Sequence, residues 1–269
     1  MPSYYAWLVR CRLLFLLLLP GLAGAQAPAW SGVVPGNSTQ LYGTSSVTDA
    51  AVDASGNILV TGFFTGTVTF GSIQLVSAGN QDIFLGKWNP TTSTWAWMQR
   101  GGGIGNDEAY GLAVNGTSIY LAGASSNNTT NGYQVSYGPG NVQYGIASGS
   151  STGTFVSGSD DMVLIKFVDN GTSASVAWSQ VAGGFANEEG RDVAVSGTSV
   201  YLTGYVFNNK ANYYEVVFGG SGATRGTAVQ NGATTTGSND LVVAKYTDNG
   251  TSSTFVWSQA GAGAAARLA

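Results

Sequence analysis

The feature that most constrains the fold is an internal repeat of three short elements in one order. The first element reads Val-Asp-Ala-Ser-Gly-Asn-Ile-Leu-Val-Thr-Gly at residues 52–62, and related copies occupy 114–123 and 195–204. The second element begins at aspartates spaced 79 residues apart, which are Asp82, Asp161 and Asp240. The third element carries a tryptophan two residues before a glutamine, and its tryptophans are Trp97, Trp178 and Trp257. Recurrence of three elements in a constant order indicates a repeat architecture.

Each element has the composition of a β-strand, since it is short, rich in β-branched and aromatic residues, and bounded by Gly, Asn, Asp or Ser. Asn-Gly pairs at 170–171 and 249–250 separate the second and third elements. They supply the positive φ of a tight hairpin, so we expect antiparallel pairing. A small strand precedes the second element and ends at Phe70-Gly71, Tyr137-Gly138 or Phe218-Gly219. One unit is therefore a meander of about four strands, the size of one propeller blade.

These units predict an all-β fold, a β-propeller-like array of about three four-stranded antiparallel blades that is incomplete or open. The near-continuous apolar runs fit strands that are buried on both faces by neighbouring units. A β-sandwich has no reason to repeat this order, and β-solenoid coils are usually shorter. Propellers typically have 4–8 blades, so we expect a truncated reading frame or an incomplete assembly. Open sheet edges would favour self-association.

The repeat has a fixed order of elements: a Val-Asp-x-Ser-Gly-Asn hairpin, a strand end with Phe-Gly, a strand that begins with Asp and ends in Lys and an aromatic residue, and a strand that contains Trp. In this order it resembles the SBBP family of bacterial β-propeller repeats. Residues 48–101 match it best, and the next two copies match at their strand ends. The resemblance covers most of the mature chain. It implies exported or surface proteins without a shared reaction, and it supplies no catalytic residue because its motif consists of strand and turn positions.

The start of the chain has the pattern of a secretory signal. Arg10 and Arg12 precede an apolar run over 13–19, and Ala23-Gly24-Ala25 forms a small-residue cleavage pattern before Gln26. The run is too short for a comfortable membrane span, so we expect cleavage, no stable span afterwards, and a secreted or cell-surface location. An uncleaved anchor is the alternative. The predicted segments are a signal peptide at 1–25, an N-terminal lead-in strand at 26–47, repeats at 48–101, 102–182 and 183–263, and a truncated tail at 264–269.

The composition excludes several kinds of site. The chain has no histidine, and its one cysteine, Cys11, lies inside the signal. The mature chain therefore has no disulfide, thiol nucleophile, Cys/His zinc site or imidazole base. Loss of the two signal arginines leaves eight basic against fourteen acidic residues, a net charge of −6. This balance argues against nucleic acid as a partner.

The second and third repeats differ from the first by insertions rich in Asn, Gly, Ser, Thr and Tyr, which are 127–134, 139–159, 206–215 and 220–238. In a four-stranded meander these insertions emerge at the same edge as the acidic pairs between repeats, so we expect a ligand face there. Its candidate ligand-binding residues are Asp107, Glu108, Tyr133, Tyr144, Glu188, Glu189, Tyr213 and Tyr214. The tyrosines either stack on sugar rings or pack the loops. The acidic pairs either hold sugar hydroxyls or Ca²⁺, or cap turns.

No catalytic residue is assigned, and no cofactor is expected, with Ca²⁺ as the alternative. Residues 53–57 lack the ligands of a calcium loop and are interpreted as a hairpin. Our leading hypothesis is a non-enzymatic binding or scaffold module at the cell surface or outside the cell, with an extracellular glycan or protein as its ligand. The alternative is a carbohydrate-active hydrolase or lyase, or a fragment of one, with two carboxylates across a cleft. A nonfunctional truncation product is the third hypothesis.

Overall fold

The computed structural model describes residues 37–38, 43–127, 134–138, 142–144, 159–183, 187–208, 216–218, 225–226 and 238–261, all within the unit Gly36–Ala269. These residues form strands and connecting turns, and none of them is helical. The strands are β1 (Asn37–Ser38), β2 (Ser45–Val52), β3 (Ile58–Phe70), β4 (Ile73–Asn89), β5 (Thr94–Gly102), β6 (Asp107–Asn115), β7 (Ser118–Asn127), β8 (Gln134–Tyr137), β9 (Val142–Tyr144), β10 (Ser159–Asp169), β11 (Ala174–Ala182), β12 (Glu188–Ser196), β13 (Ser199–Asn208), β14 (Val216–Val217), β15 (Arg225–Gly226), β16 (Ser238–Asp248) and β17 (Ser253–Gly261).

The all-β prediction is confirmed, and each repeat forms a four-stranded antiparallel meander. Sheet 1 contains β2, β3, β4 and β5, sheet 2 contains β6, β7, β10 and β11, and sheet 3 contains β12, β13, β16 and β17, each in that order. Sheet 1 is extended to seven strands because β1 pairs with the end of β3, while β8 of the second repeat pairs with β5 and with β9. The short strands β14 and β15 pair with each other.

The first repeat departs from the predicted pattern around its first hairpin. β2 begins at Ser45, inside the predicted lead-in segment 26–47. Phe70 ends the long strand β3 and not a separate small strand, because the short connection in this repeat lets β3 continue through Gly66 at φ +62°. The end of β3 and the start of β4 then curl over one face of sheet 1, where the rings of Phe70 and Phe84 lie 5.3 Å apart.

The glycine that closes each copy of the first element lies opposite a β-bulge in the first strand of its sheet. A Cβ added at Gly123 would lie 2.1 Å from the carbonyl oxygen of Glu108. The same close approach occurs at Gly62 and Gly204. Since no side chain fits there, the bulge explains why every copy ends in glycine.

The Asn-Gly turns form the hairpins that their sequence predicts. β10 pairs with β11, and β16 pairs with β17, in antiparallel register. Gly171 and Gly250 adopt φ of +88° and +90°. The N–H of each glycine donates to Oδ1 of the aspartate two residues before it, Asp169 or Asp248, at 2.9 Å. Each aspartate thereby keeps a second carboxylate oxygen for other contacts.

Sheet 2 buries both of its faces, as its continuous apolar runs predict. Along β7, Ile119 and Leu121 belong to the core that sheet 2 shares with sheet 1. The alternate residues Tyr120 and Ala122 belong to the core that it shares with sheet 3. Because successive side chains of a strand point to opposite faces, one strand supplies two cores. We call these the first interface, between sheets 1 and 2, and the second interface, between sheets 2 and 3.

The sheets approach each other most closely along their first strands. β6 contacts β2, β3 and β4, and β12 contacts β6, β7 and β10, whereas the fourth strands β5, β11 and β17 make few contacts with one another. Leu112 N–H donates to Asp49 Oδ2 at 2.7 Å, which joins β6 to β2. Between β6 and β12 the backbones are close enough that a Cβ at Gly111 would lie 2.6 Å from Asp192 Cα. The stack is therefore tightest at its first strands.

Candidate functional site

The candidate acidic residues lie at one end of the sheets, which we call the loop edge. In sheet 2 this edge combines the start of β6, the end of β7 and the start of β10, because Asp107 and Asp161 both pair with Ser125. The corresponding row in sheet 3 is Glu188, Val206 and Asp240. The insertions of the second and third repeats leave and re-enter the sheets at this same edge.

Asp107 is fully buried at the first position of β6. Its Oδ2 accepts a hydrogen bond from Gly103 N–H at 2.7 Å. Burial raises the pKa of Asp107 to about 7, against the opposing effect of hydrogen bonds from Gly103 and Ser125. The negative charges of Asp82 and Asp160 add to this rise. The carboxyl group of Asp107 therefore keeps its proton to a higher pH than an exposed aspartate does.

Three further buried residues, Asp82, Ser125 and Tyr137, lie near Asp107 in the first interface. Asp82 accepts a hydrogen bond from Ala78 N–H at 2.9 Å and pairs with Arg100, yet burial still raises its pKa. The hydroxyl groups of Tyr137 and Ser125 lie 2.5 Å apart. Burial also raises the pKa of Tyr137 well above its ordinary value. This end of the first interface is a buried polar row that favours neutral groups over charged ones.

Glu108 and Glu189 lie in a second group, which we call the arginine cluster and which consists of Glu108, Tyr110, Glu189, Arg191 and Tyr205. Tyr110 donates its hydroxyl to Glu108, and Tyr205 donates to Glu189, which also pairs with Arg191. The Arg191 guanidinium lies 4.3 Å from the ring centre of Tyr110 and 5.3 Å from that of Tyr205. Sheets 2 and 3 both contribute to the arginine cluster.

The electrostatics of the arginine cluster are those of a partly exposed ion pair beside aromatic rings. The Arg191 side chain is 49% exposed, whereas that of Glu189 is 13% exposed. Burial and the hydrogen bond to Glu189 raise the pKa of Tyr205 to about 12. Burial also raises the pKa of the neighbouring Asp160, and the charges of Glu189 and Glu108 add to that rise. The cluster presents the planar N–H donors of Arg191 to the solvent beside two partly buried tyrosine rings.

The structure thus divides the predicted acidic pairs. Glu108 and Glu189 come together in the arginine cluster, whereas Asp107 and Glu188 are fully buried, one in each interface. Tyr144 ends β9, where it pairs with Gln134. The remaining candidate tyrosines lie outside the described residues; they are Tyr133, Tyr213 and Tyr214.

The described residues were also compared with the requirements of a metal site. No three or more of their Asp and Glu side chains are grouped so as to hold an ion. Asp53, which superficially suggests a calcium loop, accepts backbone N–H groups from Ser55 at 2.8 Å and Asn57 at 2.9 Å and pairs with Lys87 at 2.9 Å. Burial alone would raise the pKa of Asp53, but hydrogen bonds from Asn57 and Lys87 outweigh it and lower the pKa to about 2. Its oxygens therefore serve the hairpin and the ion pair.

A recurring polar contact joins successive sheets at their opposite end. In the second interface, Lys166 Nζ lies 2.6 Å from Asp248 Oδ2, and Trp178 Nε1 donates to Asp248 Oδ1 at 2.9 Å. In the first interface, Lys87 pairs with Asp169, and Trp97 Nε1 donates to Asp169 Oδ1 at 3.1 Å. Each carboxylate comes from the Asp-Asn-Gly turn of the following repeat. We call this arrangement the Lys–Asp–Trp contact.

Comparison of the sequence with protein-family models and with curated proteins returned no match. In the part of the chain that the structure describes, no helix is long and apolar enough to cross a membrane.

The sequence interpretation missed the Lys–Asp–Trp contact and the arginine cluster. It assigned a turn role to the Asn-Gly pairs that follow Asp169 and Asp248 and gave these aspartates no contact, although a lysine and a tryptophan recur at fixed positions in every copy. That recurrence is the signal that points to a shared contact. Arg191 had no such signal, because the corresponding residue of the second repeat is Tyr110.

Proposed function

We propose that this chain is an exported β-propeller-repeat protein that acts as a non-enzymatic binding or scaffold module at the cell surface or outside the cell. Its repeats resemble the SBBP type, and its described sheets correspond to successive blades. The expected export follows from the signal-like start of the sequence. The ligand of the module is an extracellular glycan or protein, recognised at the loop edge.

The observation that carries this proposal is the way the three meanders stack. Their first strands contact one another, their fourth strands make few contacts, and the Lys–Asp–Trp contact recurs in both interfaces. Sheets that converge on their first strands are typical of blades around a propeller axis. Such stacks are rigid frames that carry variable loops at their edges, and loops on rigid frames are common binding sites.

The arginine cluster supports the loop edge as the binding region. Arg191 is half exposed, lies against two tyrosine rings and pairs with Glu189. Aromatic rings stack on the apolar faces of sugars, while guanidinium and carboxylate groups hydrogen-bond hydroxyl groups. We therefore place the ligand of the proposed module over Arg191, Tyr110 and Tyr205.

A glycan array probed with the mature chain tests this proposal. We expect binding to a defined set of glycans, at least tenfold weaker in Arg191→Ala and unchanged in Lys245→Ala, a matched loss of one positive charge away from the loop edge. A protein ligand would be sought with the same pair of variants if the array gives no signal. Binding that is equal in the two variants would place the ligand away from the arginine cluster.

One observation favours the alternative function, a carbohydrate-active hydrolase or lyase. The pKa of Asp107, raised by burial to about 7, is that of a carboxyl group suited to act as a general acid. Its complete burial argues against contact with a substrate. Release of reducing sugars from a bound glycan, lost in Asp107→Asn or Glu188→Gln, would favour this alternative over the binding module.

A further inference from the structure

The outer face of sheet 3 repeats the surface that sheets 1 and 2 use to bind their successors. We call it the open face, and it consists of Tyr201, Leu241, Val243, Lys245, Trp257 and Gln259. Lys245 pairs in register with both Tyr201 and Trp257, so these three side chains lie on one face. Lys166 pairs with Tyr120 and Trp178 in the same way in sheet 2. The donors of the Lys–Asp–Trp contact are therefore present a third time.

The open face differs from its counterparts in being exposed. Trp257 is 38% exposed, whereas Trp97 and Trp178 are 3% and 6% exposed. Leu241 is 47% exposed, whereas the corresponding Met162 is fully buried. Large apolar side chains that are exposed in sheet 3 but buried at the corresponding positions of the other sheets indicate a surface that binds a partner.

The lysine of the open face also differs in its partners. Lys166 is 4% exposed, and Asp248 supplies its carboxylate. Lys245 is partly buried and lies 5.6 Å from the ring centre of Tyr201, and no carboxylate of the described residues is within ion-pair distance of it. Because a lysine buried without a counterion is strongly unfavourable, whatever covers the open face must bring a carboxylate.

We infer that the open face is a docking surface for a further sheet of the same repeat type, which places the aspartate of an Asp-Asn-Gly turn between Lys245 and Trp257. The inference continues an interface that occurs twice in this molecule with the same three side-chain types. It rests on the proposed function in taking the protein as a stack of repeats, and it does not depend on any ligand at the loop edge.

Sheet 1 of a second copy does not meet this requirement. The turn of its own repeat begins at Asn89, whose Oδ1 accepts backbone N–H groups from Thr91 at 2.9 Å and Thr92 at 3.2 Å. Asn89 therefore accepts backbone hydrogen bonds within its turn, as Asp169 and Asp248 do, but its side-chain amide carries no negative charge that could pair with Lys245. The two Asp-Asn-Gly turns of the chain are already held in its interfaces by Lys87 and Lys166. The occupant is therefore a repeat additional to the three described.

The test extends the full chain after Gly263 with a second copy of residues 183–263 that carries Lys245→Arg, and a parallel variant adds residues 102–182 with Lys166→Arg instead, so that each peptide followed occurs once in the chain. Acetylation of lysines by an amine-specific reagent is followed by mass spectrometry, with Lys166 as the buried internal reference. In the unextended chain we expect Lys245 to react at least tenfold faster than Lys166. In the extended chain we expect the reaction of Lys245 to slow at least tenfold.

The matched control carries Asp248→Asn in the added copy of 183–263 only. It keeps the turn and the apolar surface but removes the charge. We therefore expect Lys245 to be acetylated at least threefold faster than in the extended chain without this substitution. The inference is overturned if Lys245 reacts equally fast in the unextended chain and in both extended chains, since a repeat that fails to fold on this face has also failed to dock. It is equally overturned if the unextended chain sediments as a dimer in which Lys245 is already protected. The glycan array reports on the loop edge, so its outcome is separate from this one.

Discussion

The two interfaces share the Lys–Asp–Trp contact but surround it differently. In the first, Lys87 lies between two carboxylates, those of Asp53 and Asp169, and the neighbouring position on β3 is Leu59. In the second, Lys166 has the carboxylate of Asp248 and the carbonyl oxygen of Gly250, at 3.0 Å, as its partners. Tyr120 takes the position of Leu59 and donates its hydroxyl to Asp248 at 2.7 Å.

At the loop edge, the two interfaces differ at a pair of corresponding residues. Tyr137 and Ser125 form a hydroxyl pair in the first interface. The corresponding residues of the second interface, Phe218 and Val206, are both apolar and both buried. Both interfaces thus contain the Lys–Asp–Trp contact, whereas the residue pair at their other end is polar in the first interface and apolar in the second. Substitutions of the residues that differ should therefore affect the stability of the two interfaces differently.

The largest expected effect is the loss of the carboxylate in the second interface. Asp248→Asn leaves Lys166 buried without a counterion among the described residues, so we expect the free energy of unfolding to fall by about 3–5 kcal/mol. Asp169→Asn leaves Lys87 paired with Asp53, so we expect a loss of about 1–2 kcal/mol. Urea unfolding followed by tryptophan fluorescence measures both values.

The double variant Asp53→Asn/Asp169→Asn is the control for this difference. It removes both carboxylates from Lys87 and should destabilise the protein about as much as Asp248→Asn. If Asp169→Asn alone is as destabilising as Asp248→Asn, the second carboxylate contributes nothing and the two interfaces are equivalent at this position.

The next effect is on the pH dependence of stability, which we assign to the first interface. Asp107, with its pKa raised to about 7, keeps its proton in the folded state between about pH 4 and pH 7, while the unfolded chain releases it near the ordinary aspartate pKa of 3.8. Stability therefore falls as the pH rises through this window, by up to about 4 kcal/mol. Asp107→Asn reduces this slope to the smaller part that comes from Asp82 and Asp160, whose pKa values burial also raises, and it raises the melting temperature at pH 7.5. A slope that is unchanged in Asp107→Asn would assign the titration to another group.

The pH dependence of stability has the opposite sign at Asp53, in the first hairpin of sheet 1. Asp53, with its pKa lowered to about 2, contributes stability that is present above pH 4 and is lost as the pH falls toward 2. The protein should therefore be most stable near pH 4, below the pH at which Asp107 ionises in the folded state. A stability maximum at neutral pH would contradict the assignment of Asp107, and stability that does not fall between pH 4 and pH 2 would contradict that of Asp53.

The sequence predicts the strands better than the contacts between them. Gly171 and Gly250 mark their hairpins because positive φ is a local property that Asn-Gly satisfies. The pairing of β8 with β5 and the contact of Lys87 with Asp169, 82 residues away, depend on how one repeat lies on the next. No local pattern carries that information. The acidic pairs illustrate the same limit, since Asp107 and Glu108 are adjacent in sequence but point into different interfaces.

A smaller effect is expected from the hydroxyl that supports Asp248. Tyr120→Phe removes a hydrogen bond to a partly buried carboxylate, so we expect a loss of about 2 kcal/mol. Tyr201→Phe, the same change on the open face, serves as the matched control and should alter stability by less than about 0.5 kcal/mol. Thermal unfolding of the two variants provides the comparison. Equal losses of stability in the two variants would mean that the Tyr120 hydroxyl does not stabilise Asp248. Only the aromatic ring of Tyr120 would then distinguish it from Leu59, the residue at the same position of sheet 1.

The smallest expected effect tests whether the polar pair of the first interface is a matched set. Tyr137→Phe and Ser125→Val each leave one buried hydroxyl without the other, so each should lower the free energy of unfolding by about 1 kcal/mol. The double variant reproduces the apolar combination found at Phe218 and Val206, and it should be no less stable than either single variant. A coupling energy of about 1 kcal/mol in this double-mutant cycle means that the two positions vary as a unit. Additive losses would instead show that each hydroxyl is held by its other neighbours, of which Asp107 lies beside Ser125.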